Sequence, residues 1–220
     1  MGAITSFCNQ KFLPGSTLTL PRRPTHIGVV VTGTRGNRAS VSPRELATLV
    51  VWCVAGGVSF ITVYDALGTL GGVTLLDEIV RRHKEILRAD WSKFPLEIVD
   101  SRWKTCSQKY TGGTAVALVA PGYGRACLAA VAKSFCHKVA KHQQWACDLQ
   151  VDQLETSLQA SLPGFPDPDL VLRLGPVQST LGYLPWHLRI SEIIPMHSIT
   201  YSNFLEALHT FAACQPRFGK

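Results

Sequence analysis

Carboxylates are scarce in this chain: fifteen Asp and Glu stand against twenty-two Lys and Arg, a formal charge of +7 with histidine neutral. No pair of them sits in a setting that suggests general acid–base work. A Gly-x-Ser-x-Gly nucleophile turn is missing, and no Ser or Cys has the surroundings of an activated nucleophile. There is no Asn-x-Ser/Thr acceptor either, since Asn9, Asn37 and Asn203 all fail at the third position. The first twenty residues lack the charged start, apolar run and small-residue cleavage site of a secretory leader. Cysteine is odd in number, seven, and its spacings are unpaired. These absences predict a reducing compartment in which the thiols act as small apolar fillers.

What is present reads as one globular domain. Hydrophobic residues make up 46% and charged residues 17%, which excludes a disordered chain and a coiled coil. A chain of this length buries about 70% of its unfolded surface and needs no metal or disulfide staple. The positive charge is concentrated early: residues 1 to 45 hold Lys11, Arg22, Arg23, Arg35, Arg38 and Arg44 against Glu45 alone. That bias favours anionic partners. Nucleic acid is disfavoured, because no aromatic interleaves the basic residues between Phe12 and Trp52.

From Leu46 to Tyr64 nineteen residues carry no charge, close to the minimum for a membrane span. The punctuation predicts otherwise. Ser42-Pro43-Arg44-Glu45 is a capping box with proline at the first helical position, Gly56-Gly57 stops the helix, and Val58 to Tyr64 is β-branched and aromatic like a buried strand. Other strands are expected at 25–32, 114–120, 169–175 and 189–194, and helices at 74–87, 125–141, 151–160 and 203–213, with 89–113 an irregular insertion. Strands alternating with helices predict an α/β fold with a mainly parallel sheet. Residues 1–23 read as a flexible basic arm and 24–220 as the domain. Met1-Gly2 and Cys8 match a loose acylation pattern, for which an unmodified start is the default.

Most local motifs favour plain readings. Gly122-Tyr-Gly124-Arg-Ala-Cys127 imitates a dinucleotide fingerprint but lacks its third glycine and its acid, so a strand-to-helix turn is expected. Cys136, His137, His142 and Cys147 have no metal-type pairing, and no metal site is assigned in this chain. Asp167 and Asp169 flank Pro168 ahead of a strand, where they should serve the turn. His26 and His187 are read as ordinary hydrogen-bonded histidines. The ending Arg217-Phe218-Gly219-Lys220 is either a solvated tail or an anion clamp, an arginine fork beside a bare glycine N–H.

Six segments together resemble the cis-prenyltransferase family, and within it the accessory subunits of the heteromeric enzymes. They are His26-Ile-Gly-Val-Val-Val-Thr-Gly33, Val50-Val-Trp-Cys53, Val63-Tyr-Asp65, Asp167-Pro-Asp-Leu-Val-Leu-Arg-Leu-Gly-Pro176, Ser179-Thr-Leu-Gly-Tyr-Leu-Pro-Trp-His187 and Ala212-Ala-Cys-Gln-Pro-Arg-Phe-Gly-Lys220. The resemblance implies a central, mostly parallel six-stranded sheet wrapped by helices, in a protein that pairs. Catalytic members follow the first strand with Asp-Gly-Asn, whose Asp handles magnesium-bound diphosphate. Here Thr32 stands in place of that Asp, and a hydroxyl offers magnesium no carboxylate. Their later block, Ile-Arg-Thr-Gly-Gly-Glu with a following Arg and Ser, is reduced to Arg173, with Ser179 and Leu181 in the later positions. Glu192 lies where the family has a glutamate.

The resemblance therefore implies that no catalytic residue resides in this chain. Arg217 and Gly219 would bind the diphosphate of isopentenyl diphosphate in a partner's site, with Arg173 and Glu192 as further candidates. It also implies a catalytic dehydrodolichyl diphosphate synthase subunit as partner, farnesyl diphosphate as co-substrate and magnesium held by that partner. Work on polyprenyl chains for dolichol places the complex at the cytosolic face of the endoplasmic reticulum membrane. The rivals are a self-sufficient homodimeric enzyme and a receptor or scaffold that retains only the fold.

Overall fold

A short β-branched run without polar alternation has to be covered on both sides. His26–Val31 (β1) is such a run, and all six of its residues are buried. The computed structural model describes residues 20–33, 41–66, 72–100, 112–159 and 164–215. In chain order after β1 come helix Pro43–Ala55 (α1), strand Phe60–Asp65 (β2), helix Gly72–Leu87 (α2), strands Leu96–Asp100 (β3) and Thr114–Val119 (β4), and helices Arg125–Ala140 (α3) and Val151–Gln159 (α4). Strands Leu170–Leu174 (β5) and Glu192–Met196 (β6) and helix Tyr201–Ala213 (α5) complete the domain. The six strands form one sheet in the order β3-β4-β2-β1-β5-β6, and every neighbouring pair is parallel.

Parallel neighbours are joined by right-handed crossovers, so the direction of travel across the sheet decides which face a connection covers. The chain moves one way from β1 to β2 and the other way from β4 to β5. On one face, Ile27, Val29 and Val31 meet Leu46, Leu49, Val50 and Cys53 of α1, Leu75 and Ile79 of α2, and Phe204, Leu208 and Phe211 of α5. On the other, Val30, Ala117 and Val171 are covered by Tyr183 and Leu184 from the β5–β6 connection. α3 and α4 pack against each other beyond that connection.

The capping box forms as expected. Ser42 Oγ accepts the Glu45 N–H at 3.2 Å, and the Glu45 carboxylate accepts the Ser42 N–H at 3.0 Å. α1 then stops at Gly56, with Gly57 at φ +80°, and among the described residues no helix is long and apolar enough to cross a membrane. Two expectations are corrected. The stretch 89–113 contains β3, which owes its extended form to its pairing with β4. The last strand begins at Glu192 instead of residue 189, and Pro195 is tolerated within it because β6 is an edge strand.

Candidate functional site

Ligands of open α/β sheets bind beyond the carboxyl ends of the strands, where the connections part to opposite sides. In this sheet that place lies between β1 and β5. The Thr32 N–H and hydroxyl both donate to the Leu174 carbonyl, at 2.7 and 2.9 Å. Thr32 is only 1% exposed, so its hydroxyl is spent inside the fold. Gly175 follows with φ +109°, in the left-handed region, and a Cβ there would overlap the Thr32 carbonyl. The two strand ends are thus stitched together. These residues do not fit a magnesium ion: among the described residues the side-chain oxygen at the end of β1 already acts as a donor to a carbonyl. Among the described residues no three His, Cys, Asp or Glu side chains converge as metal ligands.

Arg173 lies one residue before the stitched end, in register with Val30 of β1 and Pro195 of β6. It is half-buried, and its Nε is buried without a hydrogen-bond partner. Glu192 opens β6 in register with Leu170, and its N–H donates to the Asp169 carbonyl at 2.9 Å. Three residues of register, about 10 Å along a strand, separate it from Arg173. The structure therefore does not bring the two together. Gly33 closes the described part of the first loop, while Arg35, Arg217 and Gly219 lie outside the described residues, as do Met1, Gly2 and Cys8.

On the face of the sheet that the β5–β6 connection covers, starting from the amino end of β1, runs a buried polar chain that motif reading missed. The Tyr183 hydroxyl is hydrogen-bonded to Thr62 Oγ1, which is 2.9 Å from His26 Nε2, and His26 Nδ1 is 2.6 Å from the Pro166 carbonyl. Gly28 makes room for it, since a Cβ there would overlap the Tyr183 hydroxyl. The Tyr64 hydroxyl donates to the Leu181 carbonyl at 3.0 Å, tying the same connection to β2. Burial drives the pKa of His26 from 6.5 down to about 4, partly opposed by the Pro166 carbonyl and the Asp169 charge. Burial likewise pushes the Tyr183 phenol up. His26 is neutral at pH 7 and serves as a structural link, as read from the sequence. Asp169 caps the same edge, accepting the Thr25 and His26 N–H groups at 2.7 and 3.0 Å.

His187 departs from expectation. Its Nδ1 and the Trp186 Nε1 are buried without hydrogen-bond partners, and both residues line a cavity of about 10 Å³ with Tyr123, Cys127 and Leu158. That space suits about one water molecule. Gly124 shows why the false dinucleotide motif needs its glycine: a Cβ would overlap the Gly182 carbonyl of the β5–β6 connection. The glycine serves close backbone approach within a strand-to-helix turn.

Over 207 residues the chain is 42% identical to the human protein named dehydrodolichyl diphosphate synthase complex subunit NUS1, covering 92% of this chain and 69% of that one. The chain belongs to the NUS1 family of such complex subunits. More distantly, it is 28% identical over 239 residues to isoprenyl transferase 1 of Corynebacterium diphtheriae, covering 90% and 88% of the two chains. Lavandulyl diphosphate synthase from Lavandula x intermedia, solved with dimethylallyl diphosphate, shares the fold with a TM-score of 0.60 at 17% identity, covering 90% of this chain and 98% of that one. No protein-family model matches the chain. The NUS1-family chain is thus a subunit of a cis-prenyltransferase complex, built on the fold of the catalytic enzymes with Thr32 turned inward at the end of β1.

Proposed function

We propose that this chain is the noncatalytic, activity-requiring subunit of a heteromeric cis-prenyltransferase. In this reading the complex adds isopentenyl diphosphate to farnesyl diphosphate, and the product serves dolichol synthesis and glycosylation at the cytosolic face of the endoplasmic reticulum membrane. Ionising an allylic diphosphate requires concentrated positive charge at the leaving group. The catalytic dehydrodolichyl diphosphate synthase partner holds the magnesium that supplies it. Thr32 carries this reading: its hydroxyl is consumed by Leu174 at a position where a metal-facing carboxylate is required.

The tail Arg217-Phe218-Gly219 completes the partner's diphosphate site, Arg217 by charge-assisted hydrogen bonds and Gly219 by its unobstructed N–H. The course of α5 supports action on a partner over action on the chain's own crevice. α5 starts beside the carboxyl end of β6 and runs 13 residues, about 20 Å, back along the sheet. Its last turn lies beside Arg22, four residues ahead of β1, at the opposite end from the crevice. The four residues from Ala213 to Arg217 reach at most about 14 Å.

Isopentenyl incorporation by this chain alone, by the catalytic subunit alone and by the copurified pair tests both parts. Activity confined to the pair, lowered about a hundredfold or more by Arg217→Ala with copurification intact, is the expected result; loss of an oriented arginine–phosphate contact has that scale. Full activity in this chain alone would refute the noncatalytic role. Copurification with an unchanged rate would leave a scaffold or receptor that keeps only the fold.

A further inference from the structure

The β5–β6 connection meets the α3–α4 pair across a small cavity whose walls are largely apolar. Leu128 comes from α3, Leu158 from α4, and Leu184 and Pro185 from the connection. Trp186 and His187 line the same space and bring polar groups to it. Trp186 Nε1 and His187 Nδ1 are both buried and have no hydrogen-bond partner, so they are not bonded to each other. The main chain around them offers no repair for Nδ1. The N–H groups of Tyr123, Gly124, Cys127 and His187 already donate to the Ala120, Pro121, Gly124 and Leu184 carbonyls. Two buried polar groups on a cavity of about 10 Å³, the room of a single water, point to a shared partner. The two groups also differ in kind. An indole N–H only donates. Burial lowers the His187 pKa, Asp167 and Glu155 oppose that and Arg189 adds to it, so the ring is neutral at pH 7 and one nitrogen carries a lone pair. An anion would be repelled by that lone pair, and a cation by the indole N–H. A molecule that accepts and donates at once fits both.

We propose that this cavity binds one structural water, which accepts the Trp186 Nε1–H and donates to His187 Nδ1, and that this water is part of the seat of α3 and α4. The inference is independent of the tail reading. A water accepting from both rings would leave both of its hydrogens against leucine and proline; donating to Nδ1 satisfies one of them. His187 therefore carries its own hydrogen on Nε2. Two partners are the lower limit for a buried water, so losing either ring removes half of what holds it. Arg189 fixes the indole from outside. Its Cζ lies over the Trp186 ring, 5.5 Å from the centroid, and its Nη2 pairs with Glu155 of α4 at 3.6 Å. The position gives the water leverage over both helices. α3 has no fully buried residue, and α4 reaches the cavity through Leu158, which is 3% exposed.

Solution NMR of the full chain, labelled with nitrogen-15 at tryptophan and histidine, tests the proposal. The Trp145 indole, 74% exposed, is the internal reference. The Trp186 indole proton should show a cross-peak to water of the sign given by a long-lived molecule, absent for Trp145. It should also exchange with deuterium about a hundredfold more slowly than Trp145. His187 should give the nitrogen shifts of the Nε2–H tautomer at pH 7. Trp186→Phe keeps most of the ring packing and removes the donor. It assigns the indole signal and should speed amide exchange around Cys127 and Leu158 about tenfold while leaving β1 unchanged. A protected Trp186 indole without a water cross-peak would mean a dry cavity and overturn the proposal, as would a His187 hydrogen on Nδ1. Unchanged exchange around Cys127 and Leu158 in Trp186→Phe would overturn the seating role. The water cross-peak and the tautomer are measured on the unaltered chain, so a poorly folding variant does not remove the test.

Discussion

Thr32 and an aspartate differ by little in size and by a full charge. The hydroxyl can turn its hydrogen toward the Leu174 carbonyl; a carboxylate in the same place would present oxygen to oxygen. At 1% exposure no water relieves that repulsion. Placing an acid there should therefore harm the fold and confer nothing. Thr32→Asp is expected to cost about 3–5 kcal/mol in urea unfolding, the scale of an uncompensated buried charge, while Thr32→Val costs only about 1 kcal/mol for one lost hydrogen bond. A Thr32→Asp chain of unchanged stability that incorporates isopentenyl units alone would show that the site was one substitution from activity. Gly175 resists that outcome, because its left-handed backbone presses it against Thr32 and leaves no room for the strand end to turn outward.

The helices differ sharply in how firmly they are held. α5 buries Phe204, Ala207, Leu208 and Phe211 along one stripe, as its spacing requires. α3 is as long as α2, yet none of its residues is fully buried; Cys127, Leu128, Val131, Phe135 and Val139 are half-covered and Trp145 beyond it is 74% exposed. Hydrogen exchange should report this directly, with amides of α3 and α4 exchanging about a hundredfold faster than those of β1, β2 and α5 in the isolated chain. Equal protection throughout would mean that the domain opens only as a whole. The same contrast marks what was legible beforehand. α1 could be read because its signals are local, a capping box at Ser42 and Glu45 and a glycine stop. β3 could not, because Leu96-Glu-Ile-Val-Asp100 becomes a strand through its partner β4. Pro195 concealed the reach of β6, which only its place at the edge permits. At the candidate site the hydroxyl of Thr32 was visible as a matter of residue type, though not its bond to Leu174. The Tyr183–Thr62–His26 chain was not, since it joins residues 36 and 121 positions apart.

That buried chain also sets how the whole domain answers to acid. His26 touches β2 through Thr62 and the 164–168 loop through Pro166, and through Thr62 it meets Tyr183 of the β5–β6 connection, so charging it disturbs the packing of that connection on the sheet. Its pKa is about 4 in the fold against 6.5 in an exposed chain, so between those values the unfolded state binds the extra proton. Stability is then full above pH 6.5 and falls as the pH is lowered towards 4, by about 2 kcal/mol at pH 5 and ~3 kcal/mol at pH 4 from this group. Asp169 favours the protonated ring and His187 opposes it, but desolvation outweighs both. His83 and His187, also lowered by burial, add slopes of the same sign. Urea unfolding at pH 7 and pH 5 separates the contributions. His26→Gln should be less stable at pH 7 yet lose about 2 kcal/mol less than the parent between the two pH values. If both proteins lose the same amount, His26 takes no part in acid sensitivity, and its burial beneath the β5–β6 connection is looser than the geometry indicates.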